Sequence, residues 1–159
     1  MNVTSLAANA DTQQFLTFKL AGEEYGVGIL SVQEIRGWSA VTAIPHSPKW
    51  LLGVINLRGA VVPIIDLRIK FDFARADYNE FTVVIILNVG SRVIGIVVDG
   101  VSDVITLAHE QIKPAPSLGS NTDTSHIIGF GTLDERMRIL MDVEKLMAGA
   151  DLGSIKSLQ

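Results

Sequence analysis

The stretch Gly53-Val-Ile-Asn-Leu-Arg-Gly-Ala-Val-Val-Pro-Ile-Ile-Asp-Leu-Arg68 recurs in weaker form 76 residues downstream. Gly53, Leu57, Asp66 and Leu67 are echoed by Gly129, Leu133, Asp142 and Val143 with the same internal spacings. Each copy reads as an apolar run, a turn and a second apolar run, so the chain is constrained to a duplicated hairpin unit. At an offset of 69 the echo extends backwards, because Gly26, Val32, Glu34 and Ile35 correspond to Gly95, Val101, Asp103 and Val104. The seven-residue difference between the offsets is taken up by the loop 113–125, rich in Pro, Gly, Ser, Asn and Thr.

Valine (16) and isoleucine (17) together make about a fifth of the chain, and their stiff β-branched side chains favour strands. Strands are predicted over 14–20 and 25–30, joined by the turn residues 21–24, then over 52–57 and 60–66. The runs 81–87 and 92–98 follow the polar connection 75–80 and are nearly continuously apolar, as in strands buried on both faces. The runs 127–133 and 137–142 complete the set, with a short helix over 143–147. Ser31 with Glu34 has the spacing of a helix cap, which predicts a brief helical turn over 32–35; by the echo, another falls at 101–104. Residues 46–50, with Pro48, read as one more helix start. Pro63 lacks a ladder donor, so its strand belongs at an edge or beside a bulge, yet it is apolar on both faces and needs a cover. Gly28 reads as a loosened strand position or a close contact. The expected fold is mostly β, two similar small barrels that share an apolar seam, because 65 to 70 residues are marginal alone.

Composition narrows the function. A net charge of −4 and a pI near 5.3, with no run of Lys and Arg, argue against nucleic acid as partner. Cysteine is absent, which removes disulfides, thiol nucleophiles and thiolate metal sites. The first 13 residues lack the pattern of a secretory signal, and no apolar run approaches the 18 or so residues of a membrane span. The expectation is a soluble intracellular protein without direct membrane insertion.

Candidate chemistry is sparse. His46, His109 and His126 lie far apart with no metal-ligand spacing, and Gly22, Gly26 and Gly28 form neither a dinucleotide fingerprint nor a phosphate loop. Asp66 and Asp142 end matching strands and read as caps of the turns that follow. Arg58 stands apart, a lone cation beside Gly59 between two apolar strands, where the second copy has Asp134. It is either a solvated turn residue or an anchor for a partner's carboxylate or carbonyl. Val32, Glu34 and Ile35 either cover a barrel end or present a short apolar and acidic interaction strip.

Three motifs carry a resemblance. They are Tyr25-Gly-Val-Gly-Ile-Leu-Ser-Val-Gln-Glu-Ile-Arg36, the 53–68 stretch and Val93-Ile-Gly-Ile-Val-Val-Asp-Gly-Val-Ser-Asp-Val104, and in this order they resemble the bacterial chemotaxis coupling protein family, CheW. The resemblance covers roughly 14–147. It implies a single domain over 14–148 made of two pseudo-symmetric five-stranded SH3-like β-barrels packed on a shared hydrophobic core, with short helices. The subdomains are expected at about 14–78 and 79–148, with exchange of strands between them left open, and 1–13 and 149–159 as flexible tails. The resemblance further implies a non-catalytic adaptor without cofactor or metal. Its partners would be the regulatory domain of the histidine kinase CheA and the cytoplasmic tip of methyl-accepting chemotaxis proteins, and it would be cytoplasmic and recruited to membrane receptor arrays. By position, Val32, Glu34, Gly53 and Arg58 match residues tied to receptor or kinase coupling, as do Val83, Gly95, Val101 and Val104, and Ile35 joins them from the first strip. A related scaffold in a non-flagellar sensory pathway would share every motif.

Overall fold

The computed structural model describes residues 11–74, 76–116 and 126–147. Strands β1 (Thr12–Leu20) and β2 (Glu23–Gly28) lead through a 3-10 turn (Ile29–Ser31) to β3 (Val32–Gly37). Then come β4 (Leu51–Leu57), β5 (Ala60–Asp66) and the single-turn helix α1 (Leu67–Lys70). The second half supplies β6 (Val83–Val89), β7 (Arg92–Val98) and β8 (Gly100–Ala108), then β9 (Ile112–Lys113), β10 (Ile127–Leu133), β11 (Arg136–Met141) and helix α2 (Val143–Met147). They form a six-stranded sheet, β8-β1-β2-β11-β10-β9, and a five-stranded sheet, β3-β6-β7-β5-β4.

The sequence echo is an echo of register. Leu51 pairs with Ile65 and Gly53 with Ile64 across β4 and β5; Ile127 pairs with Met141 and Gly129 with Leu140 across β10 and β11, and both pairs are bulged at the same place. Glu34 faces Ile86 and Val32 faces Leu87 across another bulge, as Asp103 faces Thr17 and Val101 faces Phe18. The parallel pairings match too, Ile64 with Gly95 and Leu140 with Gly26. Each sheet nevertheless draws strands from both sides of residue 78. The first half gives β3, β4 and β5 to the five-stranded sheet but β1 and β2 to the six-stranded one, and the second half divides likewise.

Strand alternation explains the packing. Val84 and Ile86 point into the five-stranded barrel with Leu57, Val62, Ile64 and Val97. Their neighbours Ile85 and Leu87 point the other way, into a seam shared with Leu16, Phe18, Val27, Ile65, Ile96 and Met141. Phe15, Ile105, Leu107 and Leu140 fill the second barrel. Full burial of each such side chain is worth roughly 1.5–3 kcal/mol, and the double burial explains why β6 and β7 read as unbroken apolar runs. Small residues let the layers close. A β-carbon on Gly95 would lie 2.7 Å from Ile64 Cδ1, and one on Gly131 of β10 would lie 2.5 Å from Leu107 Cδ1 of β8, so the six-stranded sheet curls back on itself.

Several local expectations are corrected. Residues 32–35 and 101–104 are strands rather than helical turns, because pairing with β6 and β1 overrides a weak local cap; Ser31 ends a 3-10 turn that has no side-chain cap. Residues 46–50 make turns, not a helix start; His46 sits at φ +63, and the Ser47 hydroxyl donates to the Ile44 carbonyl. The strand predicted at 25–30 begins at Glu23, because Ala21 and Gly22 at φ +53 and +83 make a two-residue turn. The strand predicted from Phe81 begins at Val83. Pro63 lies in an internal strand rather than at an edge, yet beside a bulge, the second of the two expected placements, since the β4–β5 register shifts opposite Ile64 and Ile65; β5 joins β7 only from Ile64 onward, so the missing N–H has no ladder partner to lose on that side. Nothing crowds Gly28, which closes its strand at φ −56. The expected N-terminal tail is shorter than 1–13, because Thr12 and Gln13 already pair with β8 as part of β1; residues 1–10, the tail 149–159 and 117–125 of the long loop lie outside the described residues.

Gly53 is held by its surroundings, at φ +152, with the Thr42 carbonyl oxygen 2.2 Å from where a β-carbon would sit. Gly53→Ala should therefore cost about 3 kcal/mol in urea unfolding, whereas Gly28→Ala should stay within about 0.5 kcal/mol. Equal unfolding midpoints for the two variants would contradict this assignment.

Candidate functional site

The hairpin between β4 and β5 turns on two residues with positive φ, Arg58 at +52 and Gly59 at +92, and the Gly59 N–H donates to Asn56 Oδ1 at 2.8 Å. Such a turn is rigid and throws its first side chain outward, leaving the Arg58 side chain 65% exposed. The guanidinium reaches Glu34 on β3 and donates to Oε2. Arg36 Nη1 approaches the other oxygen at 3.6 Å. Because β3 and β4 are the two ends of the five-stranded order, this pair spans the gap where the barrel closes. The hydrogen bond from Arg58 is the main reason the Glu34 carboxyl sits below its usual range; the charges of Arg58 and Arg36 help, against partial desolvation. At this exposure the pair adds little to stability, so its value lies in orienting two charges at a surface edge.

The structure thus brings together Glu34 and Arg58, which stand 24 residues apart in sequence. Ile35 shares β3 with Glu34 and is 45% exposed; Val32 is half-buried against the seam, and Val83, also half-buried, pairs with Gly37 at the far end of β3. Val101 and Val104 occupy the corresponding strand of the other sheet, β8, at 37% and 45% exposure. The duplication therefore exposes Ile35 and Val104 equally. Gly53 and Gly95 differ from the rest, since both sit where a side chain would collide with packed neighbours.

A second polar cluster was not legible as a site. Asp66 Oδ1 caps α1 by accepting from Arg68 N at 2.9 Å, and the buried Arg68 guanidinium returns to both Asp66 oxygens at 3.0 and 2.9 Å. Arg68 Nη1 also donates to the Asp77 carbonyl at 2.6 Å and to Asp99 Oδ1 at 2.8 Å, while Asp99 Oδ2 accepts from the Ala21 N–H. Tyr78 donates to Asp66, stacks on Trp38 at 4.5 Å and lies under Arg68. Burial works against the Arg68 charge, but hydrogen bonds to Asp66 and Asp99 outweigh it and its pKa moves up. Burial, then the bond to Asp66, pushes the Tyr78 hydroxyl up to about 12. Asp99 lies between β7 and β8 and Ala21 in the β1–β2 turn, so this cluster rivets the two sheets together. The only sequence signal was Asp66-Leu67-Arg68 at the end of the hairpin motif, since Tyr78 and Asp99 are remote along the chain.

Among the described residues, cavities of about 640 and 570 Å³ indent the surface. Only uncharged residues line the larger, at 12–14, 28–31 and Thr106, so it offers neither acid nor base. The smaller includes Asp99, both of whose oxygens are already engaged. Among the described residues no three His, Asp or Glu converge as a metal would require, and no helix is long and apolar enough to cross a membrane.

A family model described as the CheW-like domain matches residues 14–151. The chemotaxis protein CheW of Klebsiella aerogenes is 51% identical over 98% of this chain and 94% of its own length. A probable chemotaxis protein CheW of Rhizobium etli is 40% identical over 93% of this chain and 96% of its own. Among solved structures, the scaffolding protein TtCheW of Thermoanaerobacter tengcongensis superposes with a TM-score of 0.81 at 30% identity, covering 87% of this chain and 94% of that one.

Replacing Arg58 with Ala removes the main cause of the Glu34 shift. The Glu34 carboxyl should then titrate at higher pH than in the parent, in a carboxyl carbon NMR titration. An unchanged Glu34 midpoint would show that Arg58 does not hold this carboxylate.

Proposed function

The chain belongs to the CheW-like domain family, and we propose that it is a non-catalytic adaptor coupling methyl-accepting chemoreceptors to the histidine kinase CheA in bacterial chemotaxis signalling. It works in the cytoplasm and is recruited to receptor arrays at the membrane. The observation that carries this reading to residues is the meeting of Glu34 and Arg58 at one exposed edge, beside Ile35 and Val32. These are the positions that the family resemblance ties to coupling.

The chain supplies contacts rather than chemistry. An adaptor shifts kinase activity only if its contacts differ between receptor states, and charged groups at an edge suit that task because they set partner orientation more than raw affinity. On this reading Arg58 meets a carboxylate or carbonyl of a partner while Glu34 holds the guanidinium in place. Val101 and Val104 present the matching strand of the other barrel to a second contact, with Val83 backing the first. Gly53 and Gly95 act through the fold, since a side chain at either would move the strands that carry the contacts.

Arg58→Glu should leave the circular dichroism spectrum unchanged and weaken binding to the kinase regulatory domain or to receptor fragments by about tenfold or more, read by titration calorimetry. The double exchange Glu34→Arg with Arg58→Glu restores the internal ion pair but not the binding. Parent-level receptor control of the kinase by Arg58→Glu would refute the anchor role, and failure of the parent chain to bind either partner would refute the adaptor reading.

A further inference from the structure

The exposed apolar side chains follow the duplication. The 76-residue offset that links Arg58 to Asp134 carries Val61 onto Met137, and the 69-residue offset carries Ile35 onto Val104. Val61 and Met137 are 52% and 59% exposed, so each barrel presents one apolar side chain just past its turn and another on the strand that holds Glu34 or Asp103. Alternation fixes the outward direction. Along β5, Val62 and Ile64 enter the first barrel and Ile65 the seam, which leaves Val61 outside at the turn end of the strand. Along β11, Leu140 enters the second barrel, Arg138 is buried on Glu24 and Met141 enters the seam, which leaves Met137 in the same place.

What differs is the chemistry of the two side chains. Valine is an inert hydrocarbon, whereas methionine carries a thioether sulfur with lone pairs that a peroxide can reach. The chain has four methionines; Met1 lies outside the described residues, and Met141 and Met147 are 2% and 4% exposed against the seam. Met137 is therefore the accessible thioether among the described residues, and no thiol competes for the oxidant because the chain has no cysteine. The sulfur lone pair attacks one peroxide oxygen, and a sulfur–oxygen bond forms as the oxygen–oxygen bond breaks. The proton on the transferred oxygen passes to the departing hydroxide, which leaves as water, so sulfur is oxidised by two electrons and the peroxide reduced by two. An adaptable apolar side chain becomes a strong hydrogen-bond acceptor, which costs nothing in water and a great deal wherever a partner would desolvate it.

We propose that Met137 is a site of two-electron oxidation by peroxides, and that its sulfoxide disables the apolar contact surface of the second barrel while leaving that of the first intact. The site rests on exposure and sulfur chemistry alone, whereas the loss of contact rests on the adaptor reading. The fold is indifferent to the change, because the side chain is exposed in the free chain. A thiol-dependent sulfoxide reductase reverses it, the dithiol giving up two electrons and the oxygen leaving as water.

Peptide mass spectrometry of the full chain after dilute hydrogen peroxide should find Met137 oxidised at least about tenfold faster than Met141 and Met147. Equal rates, or faster oxidation of either buried methionine, overturn the site. The oxidised chain should keep its urea midpoint and bind the kinase regulatory domain or the receptor fragment about tenfold more weakly, with sulfoxide reductase and dithiothreitol restoring the binding. Met137→Leu, which has no sulfur to oxidise, should show one affinity before and after the same treatment. Unchanged affinity of the oxidised parent for both partners, an equal loss in Met137→Leu, or a lowered urea midpoint overturns the contact role. Failure of the untreated parent to bind either partner removes the adaptor reading and the contact role with it, while the ratio of oxidation rates still decides the site.

Discussion

The apolar seam between the two barrels is the constraint on which the rest depends. Strands such as β6 send Val84 and Ile86 into one barrel and Ile85 and Leu87 into the seam, so a single strand holds two cores in register. A slip of one residue would exchange the two sets. Barrels of this size bury too little surface to stand alone, and here neither could, since each takes strands from both halves of the chain. The duplicated unit is thus one body, and surfaces on its two barrels keep a fixed relation to each other.

Within that near-symmetric frame the two copies differ most at their barrel ends. Arg58 faces Glu34 at one barrel end, while the matching turn of the other barrel carries Asp134, with Asp103 in the place of Glu34. The turn itself therefore offers a cation in one copy only; beside the other turn the cations are Arg136 and Arg138, both paired with Glu24. The same contrast appears at the seam. Arg68 and Asp99 rivet one side, while Glu144 and Leu30 stand in their places on the other. Packed glycines such as Gly95 and Gly26 are shared by both copies, as befits positions that serve the architecture.

The repeat was legible because bulges and glycines fix register. Gly53 and Gly129 mark equivalent bulges, and the 69- and 76-residue offsets reappear as strand pairings. The double burial of β6 and β7 was also readable, since alternation vanishes when both faces are covered. Residues 32–37 and 100–108 misled, because Ser31 and Glu34 mimic a helix cap while the pairing that makes them strands comes from residues some 50 and 85 positions away. Arg58 stood out as a cation among apolar neighbours, but its partner did not, because a contact between the first and last strands of a closed sheet leaves no local trace. The Asp66–Arg68–Tyr78–Asp99 cluster stayed hidden for the same reason, and its Asp66 showed only as a cap.

The central proposal is that one rigid two-barrel body engages two partners at once. Sedimentation velocity of this chain mixed with the CheA regulatory domain and a receptor cytoplasmic fragment tests it most directly. The account predicts a boundary that contains all three components and moves faster than either two-component mixture. Mutual displacement of kinase and receptor fragment at every ratio would contradict it.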